Sequence, residues 1–318
     1  MVTCGRCKSR TFIPGDLAPF ATVPCSKCEH PVMLPVMLRN FELLTIIASG
    51  GMGTVYTAQD VKLERQVALK MMKREVAADP ASLKAFYREA RAAACLNHTN
   101  IIHIYSFDEF DGQPYLVMEL ADQGSLDSRI ETGGRVPELD VLDVGIKISS
   151  ALTTALQHKL LHRDIKPGNI LYNIDGEPKL IDFGLVRAAE DDTWEDQIWG
   201  TVYYVAPEKL ERKGEDFHSD MYSLGATLYH ALTGHVPFEG TVEEVVSAHV
   251  HTALTPPNQV CPDISEPTSN ALARALAKYP SQRFESYDEF RMALEAARSQ
   301  VLVGQVREAD PGKSWWRR

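Results

Sequence analysis

His162-Arg163-Asp164-Ile165-Lys166-Pro167-Gly168-Asn169-Ile170-Leu171, followed by Lys179-Leu180-Ile181-Asp182-Phe183-Gly184, is the stretch that decides how this chain is read. It holds a carboxylate able to accept a proton (Asp164), an amide suited to a divalent cation (Asn169) and a second carboxylate suited to the same ion (Asp182). Magnesium prefers hard oxygen ligands and phosphate oxygens. Phosphoryl transfer from magnesium-bound ATP asks of a protein mainly positioning and charge neutralisation, which this donor set can supply.

The two segments closely resemble the catalytic loop and the metal loop of the protein kinase family. Other motifs of that family stand in order on both sides. Upstream, Ile47-Ala48-Ser49-Gly50-Gly51-Met52-Gly53-Thr54-Val55-Tyr56 resembles its glycine-rich phosphate loop. There Gly50 and Gly53 would let backbone amides approach phosphate oxygens with no Cβ in the way. Ala48 stands where the family has its first glycine, a departure expected to stiffen the loop or alter nucleotide affinity. Taken alone, the glycines would suit an ordinary hairpin turn as well.

Val67-Ala68-Leu69-Lys70 is similar to the family's strand whose lysine holds the α- and β-phosphates. Residues 80–96 predict a helix, with Pro80 in its first turn, Asp79 as cap, and Leu83, Phe86, Ala90 and Ala94 at helical spacing. The resemblance makes Glu89 on that helix the ion-pair partner of Lys70; by itself it reads as a surface glutamate. Tyr115-Leu116-Val117-Met118-Glu119-Leu120-Ala121 reads as a buried strand entering a hinge. The resemblance implies that backbone groups of Glu119 and Ala121 meet the adenine edge and that Met118 guards the back of the pocket. Ile47, Val55, Ala68 and Leu171 would supply apolar walls for the purine.

Downstream, Gly200-Thr201-Val202-Tyr203-Tyr204-Val205-Ala206-Pro207-Glu208 matches the end of an activation segment. Glu208 is expected to pair with a buried Arg283, and Asp220 to hold the catalytic-loop backbone, although Asp220 could instead be a helix cap. Lys166 would stabilise the migrating phosphoryl group. With Thr201, it points to the serine/threonine branch, and the wording around Asp164 and Asp220 to the bacterial eukaryotic-like type. In the family the arginine at Arg163 often binds a phosphate on the activation segment. Thr193, the only serine or threonine between Gly184 and Gly200, lies among Glu190, Asp191, Asp192, Glu195 and Asp196. Either phosphorylated Thr193 docks near Arg163, or one of these carboxylates neutralises Arg163, or the loop is simply solvated.

The amino-terminus carries a second signal. Cys4-Gly5-Arg6-Cys7 and Cys25-Ser26-Lys27-Cys28 are two CxxC pairs with 17 residues between Cys7 and Cys25, a zinc-ribbon spacing. Four thiolates would hold Zn²⁺ tetrahedrally, and a segment too short to bury a core would take its folding energy from the metal. Disulfides or redox thiols are the alternative, disfavoured because no signal peptide is read. Arg6, Lys8, Arg10 and Lys27 with Phe12 and Phe20 make a thin case for nucleic acid. Packing against the small lobe, or a protein partner, is at least as well supported. The short apolar stretch 31–35 suits a last ribbon strand or a stiff connector.

The 318 residues suffice for one two-lobed unit and a small appendage, and the net charge of −10 (33 Lys and Arg against 43 Asp and Glu) opposes a general binder of nucleic acid or anionic membrane. The two remaining cysteines, Cys95 and Cys261, are read as buried or incidental. No apolar run approaches the roughly 20 residues of a membrane span, so a cytoplasmic chain is expected. Trp315-Trp316-Arg317-Arg318 suggests membrane association or a disordered end. Gly312-Lys313-Ser314 fails as a P-loop because Arg307 occupies the first glycine position and no strand precedes it.

The expected architecture is α+β: a zinc-ribbon-like module (1–35), then a two-lobed kinase fold (36–303) and a disordered tail (304–318). Within the fold, a small antiparallel β lobe with one helix spans about 41–118, a hinge 119–124 and a helical lobe 125–303. Helices are predicted over 137–157, 218–232, 242–249, 269–277 and 287–301. The implied activity is transfer of the ATP γ-phosphoryl group to serine or threonine of protein substrates, with magnesium or manganese, and autophosphorylation. The alternative is a pseudokinase or scaffold whose zinc module binds a partner. Oligomeric state is not legible; dimers occur in the family.

Overall fold

Two short antiparallel hairpins open the chain. β1 (Val2–Thr3) pairs with β2 (Arg10–Thr11), and β3 (Val23–Pro24) with β4 (Pro31–Val32). Each carries one CxxC turn, and the two turns share one backbone design. The Lys8 amide bonds the Cys4 carbonyl as the Glu29 amide bonds that of Cys25, at 3.0 and 2.9 Å. Lys8 and Glu29 both take left-handed φ, 58° and 59°. The stretch 31–35 thus begins as a ribbon strand.

The computed structural model describes residues 1–15, 17–183 and 202–309, with the side chains at 85, 89, 92 and 307–309 outside that description. Backbone contacts divide the chain into two units: Met1–Asn97 with Ile102–Asp122, and His98–Ile101 with Gln123–Arg318.

In the first unit a six-stranded antiparallel sheet runs in the order β5-β6-β7-β8-β10-β9. Its strands are β5 (Val36–Leu38), β6 (Phe41–Ser49), β7 (Gly53–Asp60), β8 (Arg65–Met72), β9 (Ile104–Phe110) and β10 (Gln113–Met118). β5 pairs with β6, so the sheet starts before the expected position 41. Between β8 and β9 lie a single turn, α1 (Arg74–Ala77), which sequence reasoning missed, and α2 (Pro80–Ala94). Asp79 caps α2 by accepting from the Ser82 amide at 2.8 Å.

Side chains alternate across the pleat. Tyr115 and Val117 join Leu43, Leu69 and Val67 on one face, whereas Leu116 lies on the other with Met72, Phe86 and Ala90 of α2. The first face also takes in Met33, 1% exposed, and Phe20, whose ring meets Tyr56 edge-on at 6.4 Å. The ribbon therefore shares a core with one face of the sheet, and α2 covers the other.

The second unit is mainly helical: α3 (Leu126–Gly133), α4 (Glu138–Gln157), α5 (Pro207–Leu210), α6 (Phe217–Thr233), α7 (Val242–His251), α8 (Pro257–Val260), α9 (Glu266–Ala275) and α10 (Tyr287–Ala309). The only sheet among its described residues pairs β11 (Ile170–Tyr172) with β12 (Pro178–Leu180). Caps set the helix starts. Ser125 and Thr241 form capping boxes, and Asp216 and Ser265 accept from amides of the first turn. Ser265 moves the start of α9 ahead of the expected 269. α10 continues through Ala309 rather than stopping at 301, so the start of the expected tail is helical; exposed Gly304 does not break it. Gly234 ends α6 at φ 78°, where a Cβ would stand 2.2 Å from the Gly134 carbonyl oxygen. No helix among the described residues is long and apolar enough to cross a membrane.

Candidate active site

The loop after α4 is held from beneath by one buried carboxylate. Asp220, in the first turn of α6 and 2% exposed, accepts the His162 amide on Oδ2 at 2.6 Å and the Arg163 amide on Oδ1 at 2.7 Å. Burial pushes its carboxyl pKa up, opposed by His162 and these two amides. Asp220 is not the cap of α6; Asp216 is. The clamp holds Arg163 in the left-handed region (φ 67°), a strained conformation for a side chain of this size.

Beyond Arg163 the loop turns back on itself. Asn169 Nδ2 donates to the Asp164 carbonyl at 2.7 Å and to Asp164 Oδ2 at 3.0 Å. Lys166 Nζ lies 2.8 Å from the same Oδ2. The Asp164 carboxylate is thus held by an amide and an ammonium. Both Nδ2 hydrogens of Asn169 are in use, so of its side-chain atoms Oδ1 is the one chemically suited to a cation. The segment Ile181-Asp182-Phe183 is tied to the same place. His162 Nε2 donates to the Ile181 carbonyl at 2.8 Å, the Ile181 amide bonds the Asn169 carbonyl at 3.0 Å, and Phe183 packs edge-on against the His162 ring at 4.9 Å. Asp182 follows Ile181 with φ 56°.

Glu208 and Arg283 meet in a buried bidentate pair, Nη1 to Oε1 at 2.8 Å and Nη2 to Oε2 at 2.7 Å, and Ser219 Oγ donates to Oε1 at 2.7 Å. Burial would raise the Glu208 pKa, but these donors hold it below the usual range.

In the first unit, Val55 and Ala68 lie on neighbouring strands, and Lys70 pairs with Val55 across β7 and β8. At Gly53 a Cβ would stand 2.4 Å from the Met71 carbonyl oxygen, so no larger residue fits; at Gly50 and Gly51 nothing lies within 4 Å. Ala48 pairs with Val55 as an ordinary exposed strand residue, a position that needs no glycine. Ile47 is exposed, Met118 half-buried and Ala121 buried; Leu171, in β11 of the second unit, is half-buried. The Glu119 amide donates to the His103 carbonyl at 2.8 Å. The Glu89 side chain, Gly184, Thr193, Gly200, Thr201, the acidic run 190–196 and Trp315 to Arg318 lie outside the described residues.

The four ribbon sulfurs converge. All lie within 4.8 Å of one another, with Cys4–Cys28 at 3.7 Å and Cys7–Cys25 at 3.6 Å. Four sulfurs about 2.3 Å from a tetrahedral Zn²⁺ sit roughly 3.8 Å apart, whereas a disulfide needs about 2 Å. The set therefore fits the metal. Ser9 lies 2.9 Å from Cys7 and 3.3 Å from Cys25, lowering the pKa of both, Cys25 to about 5. The His30 amide acts the same way on Cys28, but burial and the crowding of three other thiols push it up to about 12. A cation would relieve that crowding.

The ribbon is joined to the sheet by specific bonds. His30 Nε2 donates to the Ile46 carbonyl at 2.9 Å, where the β6 register shifts between Ile46 and Ala48, and Gly5 packs close against Thr45. Nothing in the sequence spacing signalled these contacts. Of the single cysteines, Cys95 is exposed rather than buried, and the Cys261 thiol points to the Thr233 carbonyl at 3.8 Å.

The protein kinase domain model matches residues 41–295. Among curated proteins, the chain is 36% identical over 268 residues to the serine/threonine-protein kinase PknB of Mycobacterium leprae, covering 82% of this chain and 43% of that one. It is 33% identical to PrkC of Bacillus subtilis, covering 81% and 40%. The chain thus spans less than half the length of these relatives. Among solved structures, the PknI kinase domain of Mycobacterium tuberculosis aligns with a TM-score of 0.63 at 27% identity, covering 83% of this chain and 98% of that one.

Proposed function

The chain belongs to the protein kinase family, in its bacterial serine/threonine branch, and from that premise we propose that it transfers the γ-phosphoryl group of ATP to serine or threonine hydroxyls of proteins. The observation that carries this reading is the Asp164 carboxylate held by Asn169 and Lys166 on a loop clamped by Asp220. Asp164 would orient the attacking hydroxyl and accept its proton. Lys166, already beside it, would meet the charge on the migrating group. Magnesium, or manganese, supplies neutralisation of phosphate charge, and Asn169 Oδ1 with Asp182 would hold it.

Lys70, with Glu89 as its partner, would bind the α- and β-phosphates beneath the backbone of Gly50 and Gly53. Ile47, Val55, Ala68, Met118 and Leu171 would wall the adenine. The backbone groups of Glu119 and Ala121 would meet the adenine edge. Thr201 would contact Asp164 and Lys166. Lys70, Glu89, Asp164, Lys166, Asn169 and Asp182 are all present, which does not favour a pseudokinase.

The test is incubation with γ-labelled ATP, Mg²⁺ and a generic protein substrate such as casein, beside Asp164→Asn and Asp182→Asn. Label in the wild type, with at least about a hundredfold less in either variant, is expected. A wild type as inactive as the variants would overturn the reading.

Cys4, Cys7, Cys25 and Cys28 would hold one structural Zn²⁺, and the ribbon would brace its own sheet through His30, Met33 and Phe20. That use of its apolar side argues against a free nucleic-acid module. One zinc per chain by elemental analysis is expected. Chelation or Cys4→Ser should lower the melting temperature of the first unit, while Cys95→Ser leaves it unchanged. Zinc-free protein with unaltered melting would count against the metal.

A further inference from the structure

Arg163 is met by a carboxylate that lies outside the acidic run 190–196. Arg163 Nε is 3.6 Å from Glu215 Oε2, and Lys209 Nζ is 3.4 Å from Glu215 Oε1. Lys209 also donates to the Arg163 carbonyl at 3.1 Å, so one ammonium ties together the loop that carries Arg163 and the carboxylate that faces it. Glu215 is not a wandering surface acid. It stands between Gly214, fixed in a left-handed turn at φ 95°, and Asp216, which caps α6. The Lys213 amide bonds the Glu208 carbonyl at 2.9 Å, anchoring the same short connection to the buried Glu208–Arg283 pair. The Glu215 side chain is 24% exposed and that of Lys209 28%, against 40% for Arg163. Nearby, Lys213 already pairs with Glu211 at 2.8 Å, and His218 Nδ1 lies 3.1 Å from Asp216. Two cations thus converge on one carboxylate presented by a preset turn.

A guanidinium and an ammonium beside a loop make the kind of site that a phosphorylated side chain can order through charge-assisted bonds. Here a glutamate of the chain's own backbone framework fills it. The geometry points to Glu215 as a built-in counter-ion of Arg163 that stands in for a phosphate on the activation segment, so that phosphoryl transfer does not depend on phosphorylation of Thr193. This inference rests on the kinase reading. In it Glu215 is a positioning residue: it touches neither nucleotide nor substrate and acts through Arg163, whose amide shares Asp220 with the loop bearing Asp164.

The experiment compares the full chain as purified, the same chain after phosphatase treatment, Thr193→Ala, Glu215→Gln and Glu215→Asp. The readouts are turnover with casein, the KM for ATP, and the rate of phenylglyoxal labelling at Arg163 by mass spectrometry. Phosphatase-treated wild type and Thr193→Ala are expected within about twofold of the untreated chain. Unphosphorylated Glu215→Gln should lose about five- to tenfold in kcat with the KM for ATP unchanged. Phosphorylation should restore part of that loss, Glu215→Asp should retain most of the activity, and Arg163 should label faster in Glu215→Gln than in wild type. A tenfold loss on phosphatase treatment alone, or full activity in unphosphorylated Glu215→Gln, overturns the proposal. Transfer absent from every form overturns the kinase reading instead; equal labelling of Arg163 in wild type and Glu215→Gln then overturns the pairing on its own.

Discussion

Arg283 uses every N–H it has. Nε donates to the Ala277 carbonyl at 2.9 Å, Nη1 to Glu208 and the His218 carbonyl, both at 2.8 Å, and Nη2 to Glu208 at 2.7 Å and the Lys278 carbonyl at 3.2 Å. A lysine has no planar fork and could not reproduce this set. Arg283→Lys is expected to destabilise the second unit by about 3–5 kcal/mol, because Glu208 would be left buried with a poor partner; urea unfolding measures this. Glu208→Gln with Arg283→Met together should cost less than either change alone, which a double-mutant cycle can read. The sequence made the pairing of these two residues legible only through the family resemblance, for nothing local links positions 208 and 283. Asp164, Asn169 and Asp182 were plainer because their chemistry falls within one short run. Glu215 was not legible at all. Its meaning depends on a turn that brings it to Arg163, and no spacing rule announces that turn.

Strands and helices followed their local signals where those signals were chemical. Ser125, Thr241 and Asp216 announce helix starts because each side chain takes an orphaned first-turn amide. The end of α10 was misjudged because its last turns bear no terminator: Gly304 alone costs about 1 kcal/mol in a helix, too little to end it. Packing of the ribbon against the small lobe was among the readings the sequence allowed, but the contacts that make it were hidden for another reason. It is made by a histidine ring on a bulged carbonyl and by two apolar side chains, and none of these has a motif. In the glycine-rich turn the glycines are unequal. Gly53→Ala would drive a Cβ to 2.4 Å from the Met71 carbonyl oxygen, whereas Gly50→Ala meets open space. Gly53→Ala is therefore expected to separate β7 from β8 and to raise the KM for ATP about tenfold or more, with a loss of about 1–3 kcal/mol in stability. Gly50→Ala should leave melting unchanged. Steady-state kinetics beside thermal melts would check both, and equal effects of the two substitutions would refute the steric account.

For the chain in full, acid stability should be limited by His249, which is buried, pairs its Nδ1 with the Tyr222 hydroxyl at 2.7 Å and lies near the Lys278 ammonium. Burial, then Lys278, pushes its pKa down from 6.5 to about 3. Between those values the unfolded chain binds the proton and the folded one does not, so this contribution to stability is full above about 6.5 and is lost progressively as pH falls through the window to about 3. His249→Gln should remove up to about 1.4 kcal/mol per pH unit of that slope between pH 4 and 6, measured by urea midpoints. The Glu208–Arg283 pair also bears on how the protein is made. The two residues lie 75 positions apart, so at roughly 5–20 residues per second Glu208 is synthesised about 4–15 s before its partner. A chain arrested on the ribosome short of Arg283 is expected to stay open to protease around 207–216, and one arrested well past 309 to resist it. A nascent chain thus carries Asp164, Asn169 and Asp182 while the stretch 207–216 is still unlocked, and under the proposed function competence would arrive only with nearly the last of the helices, a delay written into the order of translation.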